Sequence, residues 1–188
     1  VRAFASALFR PLRFQADRRD PWWTLLAFYN SIRELSGAKT LFDSDIRSRL
    51  KFMFNREGFA PNDRRNLRIV EELTSRLSQA EIVAMMDSLS TPYSAPSNYP
   101  VFDACLASNI IEVGVDIPNA TIVLIEGANR FGLAQLHQIR GRVGRSDKES
   151  LCILIPDNDD ALENERLQAM TKTNNGFILA DYNLKHRG

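Results

Sequence analysis

A chain of 188 residues suffices for one well-packed domain with a modest appendage and is too short for two full-sized domains. Its 44% hydrophobic and 25% charged residues are those of an ordinary globular protein, which excludes wholesale disorder and an integral membrane protein. A net charge of +1 excludes a general coat of positive charge, so any contact with nucleic acid must come from local placement of cations.

Residues 1–20 hold five arginines against two aspartates, with Phe4, Leu8 and Phe9 at helical spacing and Pro11 interrupting them. They read as a basic lead-in set apart from the domain, either a solvated linker or an arm facing phosphate. The apolar run over residues 22–29 is far shorter than the roughly 20 residues that span a bilayer, and nothing before it resembles a cleavable signal, so a cytoplasmic location without membrane contact is expected.

WTLLAFYNS predicts a strand ending at Asn30 and Ser31, and IRELSGAKTLF a helix that IRSRLKFMF extends. NREGFAPNDRRN reads as a loop. LRIVEEL predicts a short strand, followed by Thr74, Ser75 and Arg76 and by an amphipathic helix with Ile82, Val83, Met86 and Leu89 as its apolar positions. STPYSAPSNYP is a long loop, and VFDACLAS, ATIVLIEG and SLCILIPD are strands, with AQLHQIRGRVGR helical between the last two. Cys105 and Cys152 sit inside these apolar runs without metal-ligand spacing and read as buried small hydrophobes.

Short apolar runs alternating with helices predict an α/β domain over residues 21–160, with a mainly parallel sheet of about five to seven strands covered on both faces. Residues 161–188 predict a helical hairpin packed through Leu167, Met170, Phe177, Ile178 and Leu184. In parallel α/β sheets the ends of the strands form the ligand edge. Ser31, Ser75 with Arg76, and Ser108 with Asn109 each follow a predicted strand, so polar groups are expected along one edge, with cations from Arg33, Arg76, Arg142 and Arg145.

The most informative stretch is QIRGRVGR. Gln138, Arg142 and Arg145 fall on one helical stripe, and Leu136, Ile139 and Val143 on another that can pack on the sheet. Glycine inside a helix costs about 1 kcal/mol relative to alanine, so Gly141 and Gly144 need a reason beyond stability. Upstream, Gly114 and Asp116 bracket a turn in ASNIIEVGVDIPNA; the glycine permits close approach of a ligand and the aspartate can accept hydrogen bonds from ribose hydroxyls.

ASNIIEVGVDIPNA and HQIRGRVGR resemble motifs V and VI of superfamily 2 helicases. Residues 107–188 are similar to RecG-type DNA translocases in particular, through NRFGLAQLHQIRGRVGR and through ERLQAMTKTNNGFILADYNLKHRG, which resembles the TRG translocation motif. From about residue 20 to 116 the chain resembles instead the DrmA-type helicases of the DISARM phage-defence system, through FYNSIRELSGAKTL and EELTSRLSQAEI. The two meet inside motif V, as in a divergent relative sharing both signatures or in a recombined chain.

Both resemblances imply the second RecA-like lobe, a three-layer domain, of an ATP-dependent DNA helicase or translocase. They imply DNA, duplex or branched, as a partner, with a DNA-repair role from one half and phage defence from the other. Gly114 and Asp116 would line the nucleotide edge, Gln138, Arg142 and Arg145 would reach the phosphates, and the two arginines would act as fingers for developing charge. Ser31, Ser75, Arg76, Ser108 and Asn109 would contact the DNA backbone, although RecG-type sequences place threonine where this chain has Ser108 and Asn109. His137 would orient its neighbours, and Phe177 and Arg187 would couple the C-terminal element, here truncated, to the domain. Arg140, about 200° around the helix from Arg142, should tolerate alanine much better than the two finger arginines in ATP turnover.

The sequence holds no GxxxxGK run followed by serine or threonine and no DExH-like run. ATP with magnesium is therefore expected to bind mainly to a first RecA-like lobe outside this sequence, leaving the chain alone inactive. The competing reading is a non-catalytic RecA-like module that binds nucleic acid or a partner protein.

Overall fold

Five apolar runs form the sheet: β1 (Leu25–Tyr29), β2 (Val70–Leu73), β3 (Ala104–Ser108), β4 (Ile122–Glu126) and β5 (Leu151–Ile155). The computed structural model describes residues 1–93, 101–108, 121–141, 149–159, 164–176, 178 and 179. The strands are all parallel in the order β2-β3-β1-β4-β5, with Leu25 opposite both Ala104 and Ile122, and Tyr29 opposite Ser108. Burial follows this order: β1 and β3 are buried throughout, whereas the edge strand β2 exposes Glu71, which explains why VEEL is the least apolar of the five.

Alternation along the strands divides the core in two. Leu25, Ala27, Tyr29, Leu106, Ile122 and Leu124 face α1 (Arg2–Phe9), α3 (Ile32–Leu41) and α4 (Arg47–Arg56). Leu26, Phe28, Cys105, Ala107, Val123 and Ile125 face α5 (Gln79–Leu89), α6 (Leu133–Gly141) and α7 (Glu165–Lys172). A parallel sheet between two helical layers is the RecA-like three-layer architecture.

The caps are those that local chemistry demands. Ser31 Oγ accepts the Glu34 amide at 3.3 Å and starts α3, and Ser78 with Glu81 forms a reciprocal capping box at the start of α5. α3 runs through a π-helical turn, Phe42–Ile46, directly into α4. That helix ends where Gly58 takes a φ of 74°, and Phe59 N returns to Phe54 O at 3.0 Å.

Three expectations change. Residues 2–9 are not a solvated lead-in: α1 buries Phe4, Leu8 and Phe9, with Phe4 edge-on to Phe42 at 5.5 Å and Phe9 beside Phe54 at 5.4 Å. Two 3-10 turns (Arg10–Arg13 and Ala16–Arg18) and the short α2 (Asp20–Trp23) then lead to β1, with Arg10 lying over the Trp22 ring. Val83 is exposed because the buried stripe of α5 runs through Ile82 and Leu89, seven residues apart, and Val83 lies about 100° off it. Leu167 and Met170 are buried as expected, but Ile178 is exposed and Leu179 takes its inward position. Phe177 and Leu184 lie outside the described residues.

Candidate functional site

Because β2, β3 and β1 are adjacent and parallel, with Leu73 beside Ala107 and Tyr29 beside Ser108, their C-terminal ends form one row. Ser31 follows the first strand, Ser75 and Arg76 the second, and Ser108 closes the third, so the structure brings these four together along one edge.

Their environments differ. Ser31 is half-buried and accepts one amide as the cap of α3, which leaves its own proton free to donate. Ser75 and Arg76 are exposed on a turn pinned by the buried Thr74, whose carbonyl accepts Leu77 N at 3.1 Å and whose hydroxyl accepts Arg76 N at 3.4 Å. Arg33 is also exposed, one residue into α3. Ser108 is buried, on the sheet face that carries Tyr29, and its hydroxyl has no hydrogen-bond partner among the described residues. It underlies the edge and does not project from it.

Beside this row lies a polar cluster that sequence reasoning missed. Glu126 ends β4, next to Tyr29, and Arg130 pairs with Glu34 of α3 and, at 2.9 Å through Nε, with Asp157 beyond β5. Gly127 makes the pairing possible: its φ is 63°, and a Cβ there would meet Arg130 Nη2 at 2.0 Å. Burial pushes the Glu126 carboxyl up, reinforced by Glu34 and Asp157 and opposed by Arg130. Burial, and then the Glu126 charge, likewise raise the Tyr29 phenol. Only the turn residues after each strand could have hinted at this cluster, since its members are scattered across more than a hundred positions.

Gln138 stands apart from the strand-end row. α6 leads from the C-terminal end of β4 back to the start of β5, with Leu136 and Ile139 buried against the sheet and Gln138 exposed on the outer face. His137 Nδ1 lies 3.0 Å from Arg140 Nη2, and Arg140 Nη1 donates to Met170 O at 2.8 Å and Thr173 O at 2.9 Å. Arg140 therefore caps the end of α7, a structural role that sequence reasoning did not assign to it. A Cβ on Gly176 would fall 2.7 Å from His137 Nε2, so the segment after α7 returns close against α6. Cys105 is the small buried group expected, whereas Cys152, on the edge strand β5, is only half-buried. Desolvation raises Cys105 to about 12 and Cys152 to about 11. Asn109, Gly114, Asp116, Arg142, Arg145, Phe177 and Arg187 lie outside the described residues.

Residues 24–147 match the family described as the helicase conserved C-terminal domain, and this one match crosses the point where the two sequence resemblances meet. The ATP-dependent DNA helicase RecG of Streptococcus pneumoniae is 50% identical over 86 residues, covering 46% of this chain and 13% of that protein. RecG of Aquifex aeolicus is 52% identical over 90 residues, covering 46% of this chain and 11% of that protein. The solved structure of RecG bound to a three-way DNA junction superposes with a TM-score of 0.61 at 30% identity, covering 88% of this chain and 19% of that one. The chain thus spans only about an eighth of the length of its curated relatives. With a helicase family matching from the start of β1 through QIRGRVGR, and with RecG alike in sequence and in fold, the chain belongs to the helicase conserved C-terminal domain family and is a RecG-like second lobe of a superfamily 2 helicase.

Proposed function

We propose that this lobe works in an ATP-dependent DNA helicase or translocase, acting with a first RecA-like lobe. Arg142 and Arg145 serve as fingers for charge that develops on the transferred phosphoryl group, and Gln138, Gly114 and Asp116 face the nucleotide. The observation that carries the reading is the row of strand ends: three adjacent parallel strands deliver Ser31, Ser75 and Arg76 to one edge, over the buried Ser108. An exposed hydroxyl at Ser75, a half-buried one at Ser31, a guanidinium and a helix N-terminus together suit a phosphodiester backbone. Asn109 joins this set in our reading, and Phe177 and Arg187 join the C-terminal element to it.

ATP with magnesium supplies the driving force when bound between lobes. The contribution of this chain is to orient cations at the γ-phosphate and to hold the DNA backbone. In a protein carrying both lobes, Arg145→Ala and Arg142→Ala are each expected to lower DNA-stimulated ATP turnover by about 10³-fold or more. Melting temperature and DNA affinity should stay near wild type. Lysine at position 145 fails almost as badly, because a point charge cannot replace a planar, two-pronged donor. Near-normal turnover in both alanine variants would sink the motor reading and favour a non-catalytic module.

A further inference from the structure

The helicase reading leaves unused a group of cations at the opposite edge of the sheet. Arg47, Leu50, Lys51 and Phe54 lie at i, i+3, i+4 and i+7 on α4 and so form one stripe. Facing that stripe is the segment that returns to β2, and between them lies a cleft of about 270 Å³ lined by these four residues with Arg64 and Leu67. Arg47 Nη1 donates to Leu67 O at 2.6 Å, and the buried Arg65 beneath donates to Trp23 O at 2.7 Å and to Asp103 at 3.0 Å. Trp23 lies two residues before β1 and Asp103 one before β3, so the cleft opens at the N-terminal edge, away from Ser31 and Ser75.

The cations on its rim are weakly neutralised. The carboxylate of Asp43 stands 3.9 Å from Arg47, at the limit of an ion pair and with both side chains partly exposed, a geometry worth little. Arg64 commits Nε to Phe59 O at 3.0 Å and keeps its terminal nitrogens for other acceptors. Lys51 is exposed, with no carboxylate or hydrogen-bond partner among the described residues. Beneath them Leu50, Phe54 and Leu67 are buried and make an apolar floor. Two guanidinium groups and an ammonium around one concavity repel one another, and an anion seated among them removes that repulsion and gains charge-assisted hydrogen bonds.

We propose that this cleft is a second anion site, which binds a phosphate group through Arg47, Lys51 and Arg64. The phosphate belongs either to the backbone of a nucleic-acid strand or to a free phosphate compound. The proposal does not depend on the motor reading, because none of its residues lies on the strand-end edge.

The test uses the 188-residue chain with two probes: a fluorescent oligothymidylate followed by anisotropy, and inorganic pyrophosphate followed by calorimetry. Lys51→Glu is expected to weaken at least one probe by about ten-fold or more, and Lys51→Ala to reduce the salt slope of oligothymidylate binding by about 0.7. Arg49→Glu makes the same change in net charge on the opposite face of α4, where Arg49 lies 5.0 Å over Phe52, and should shift neither probe by more than about two-fold. Loss confined to oligothymidylate assigns the phosphate to nucleic acid, and loss confined to pyrophosphate assigns it to a free compound. Equal losses in Lys51→Glu and Arg49→Glu, or a wild-type chain that binds neither probe, overturn the site. Arg76→Ala in the same assay reports on the strand-end edge separately, so failure of one reading is distinguishable from failure of the other. Melting temperatures confirm that each variant is folded.

Discussion

Arg65 shows how much one side chain can organise. It is buried, and it donates Nε to Asp103 Oδ1 at 3.0 Å, Nη1 to Leu8 O at 2.9 Å, and Nη2 to Trp23 O and Asp103 O at 2.7 and 3.1 Å. Its guanidinium carbon stands 4.1 Å over the Trp23 ring. Burial pulls this arginine below its ordinary pKa, opposed first by the charge of Asp103. Asp103 is equally engaged, accepting the Arg68 and Ile69 amides on Oδ2 at 2.6 and 3.2 Å. The net worth of such a pair is small, but breaking it is costly, because a charge is then left buried without its partner. Arg65→Ala is expected to lower stability in urea unfolding by about 3–5 kcal/mol. Arg64→Ala, which removes a half-exposed neighbour, should cost under about 1 kcal/mol. Nothing in the string RRN separates these two arginines. What separates them is an aspartate 38 positions away, and no local pattern carries that information.

At the scale of elements, legibility followed the strength of the periodic signal. LLAFY, ACLAS, IVLIE and LCILI are short, mainly apolar runs, as suits strands covered on both faces; the first three are buried almost throughout, and LCILI, on the edge, is half-buried along its length. The row of strand ends was legible for the same reason, since each polar turn follows such a run. The helical spacing of Phe4, Leu8 and Phe9 was legible but their burial was not, because Pro11 and five nearby arginines pointed to a solvated segment. The arginines are accommodated at the surface: Arg13 pairs with Glu57 at 2.9 Å and lies over the Phe9 ring. Ile178 misled for a related reason, since a shift of one position turns a helical residue by about 100° and sends its neighbour Leu179 inward instead. If α1 belongs to the core, Leu8→Ala should destabilise the chain by about 2–5 kcal/mol, as expected for a buried leucine. A solvated arm would show almost no change in the unfolding midpoint.

At the scale of the molecule, two kinds of contact join the helicase motifs to the C-terminal segment. Arg140, within QIRGRVGR's leading turn, reaches the last carbonyls of α7, while Arg166 of α7 donates to Asn129 O at 3.0 Å in the turn that precedes α6. α6 and α7 are therefore fastened at both ends, and a displacement of one is passed to the other through hydrogen bonds and through the packing of Leu136 and Ile139 near Leu167 and Met170. In the motor reading, the exposed face of α6 carries Gln138 toward the nucleotide, and its inner side carries the tie to the C-terminal segment. Arg140 then sits at the junction of hydrolysis and movement. In a protein with both lobes, Arg140→Ala should leave DNA-stimulated ATP turnover within a few-fold of wild type, because Arg140 does not lie on the Gln138 stripe. Strand separation per ATP consumed should fall by about ten-fold, within the usual range of coupling free energies. Arg140→Lys should recover little of that loss, since one ammonium cannot bridge two carbonyls and stay beside His137 as the planar group does. Parallel measurement of phosphate release and of duplex unwinding separates the outcomes: a fall confined to unwinding supports coupling through α6 and α7, whereas equal falls in both would reduce Arg140 to a helix cap whose loss loosens the whole layer.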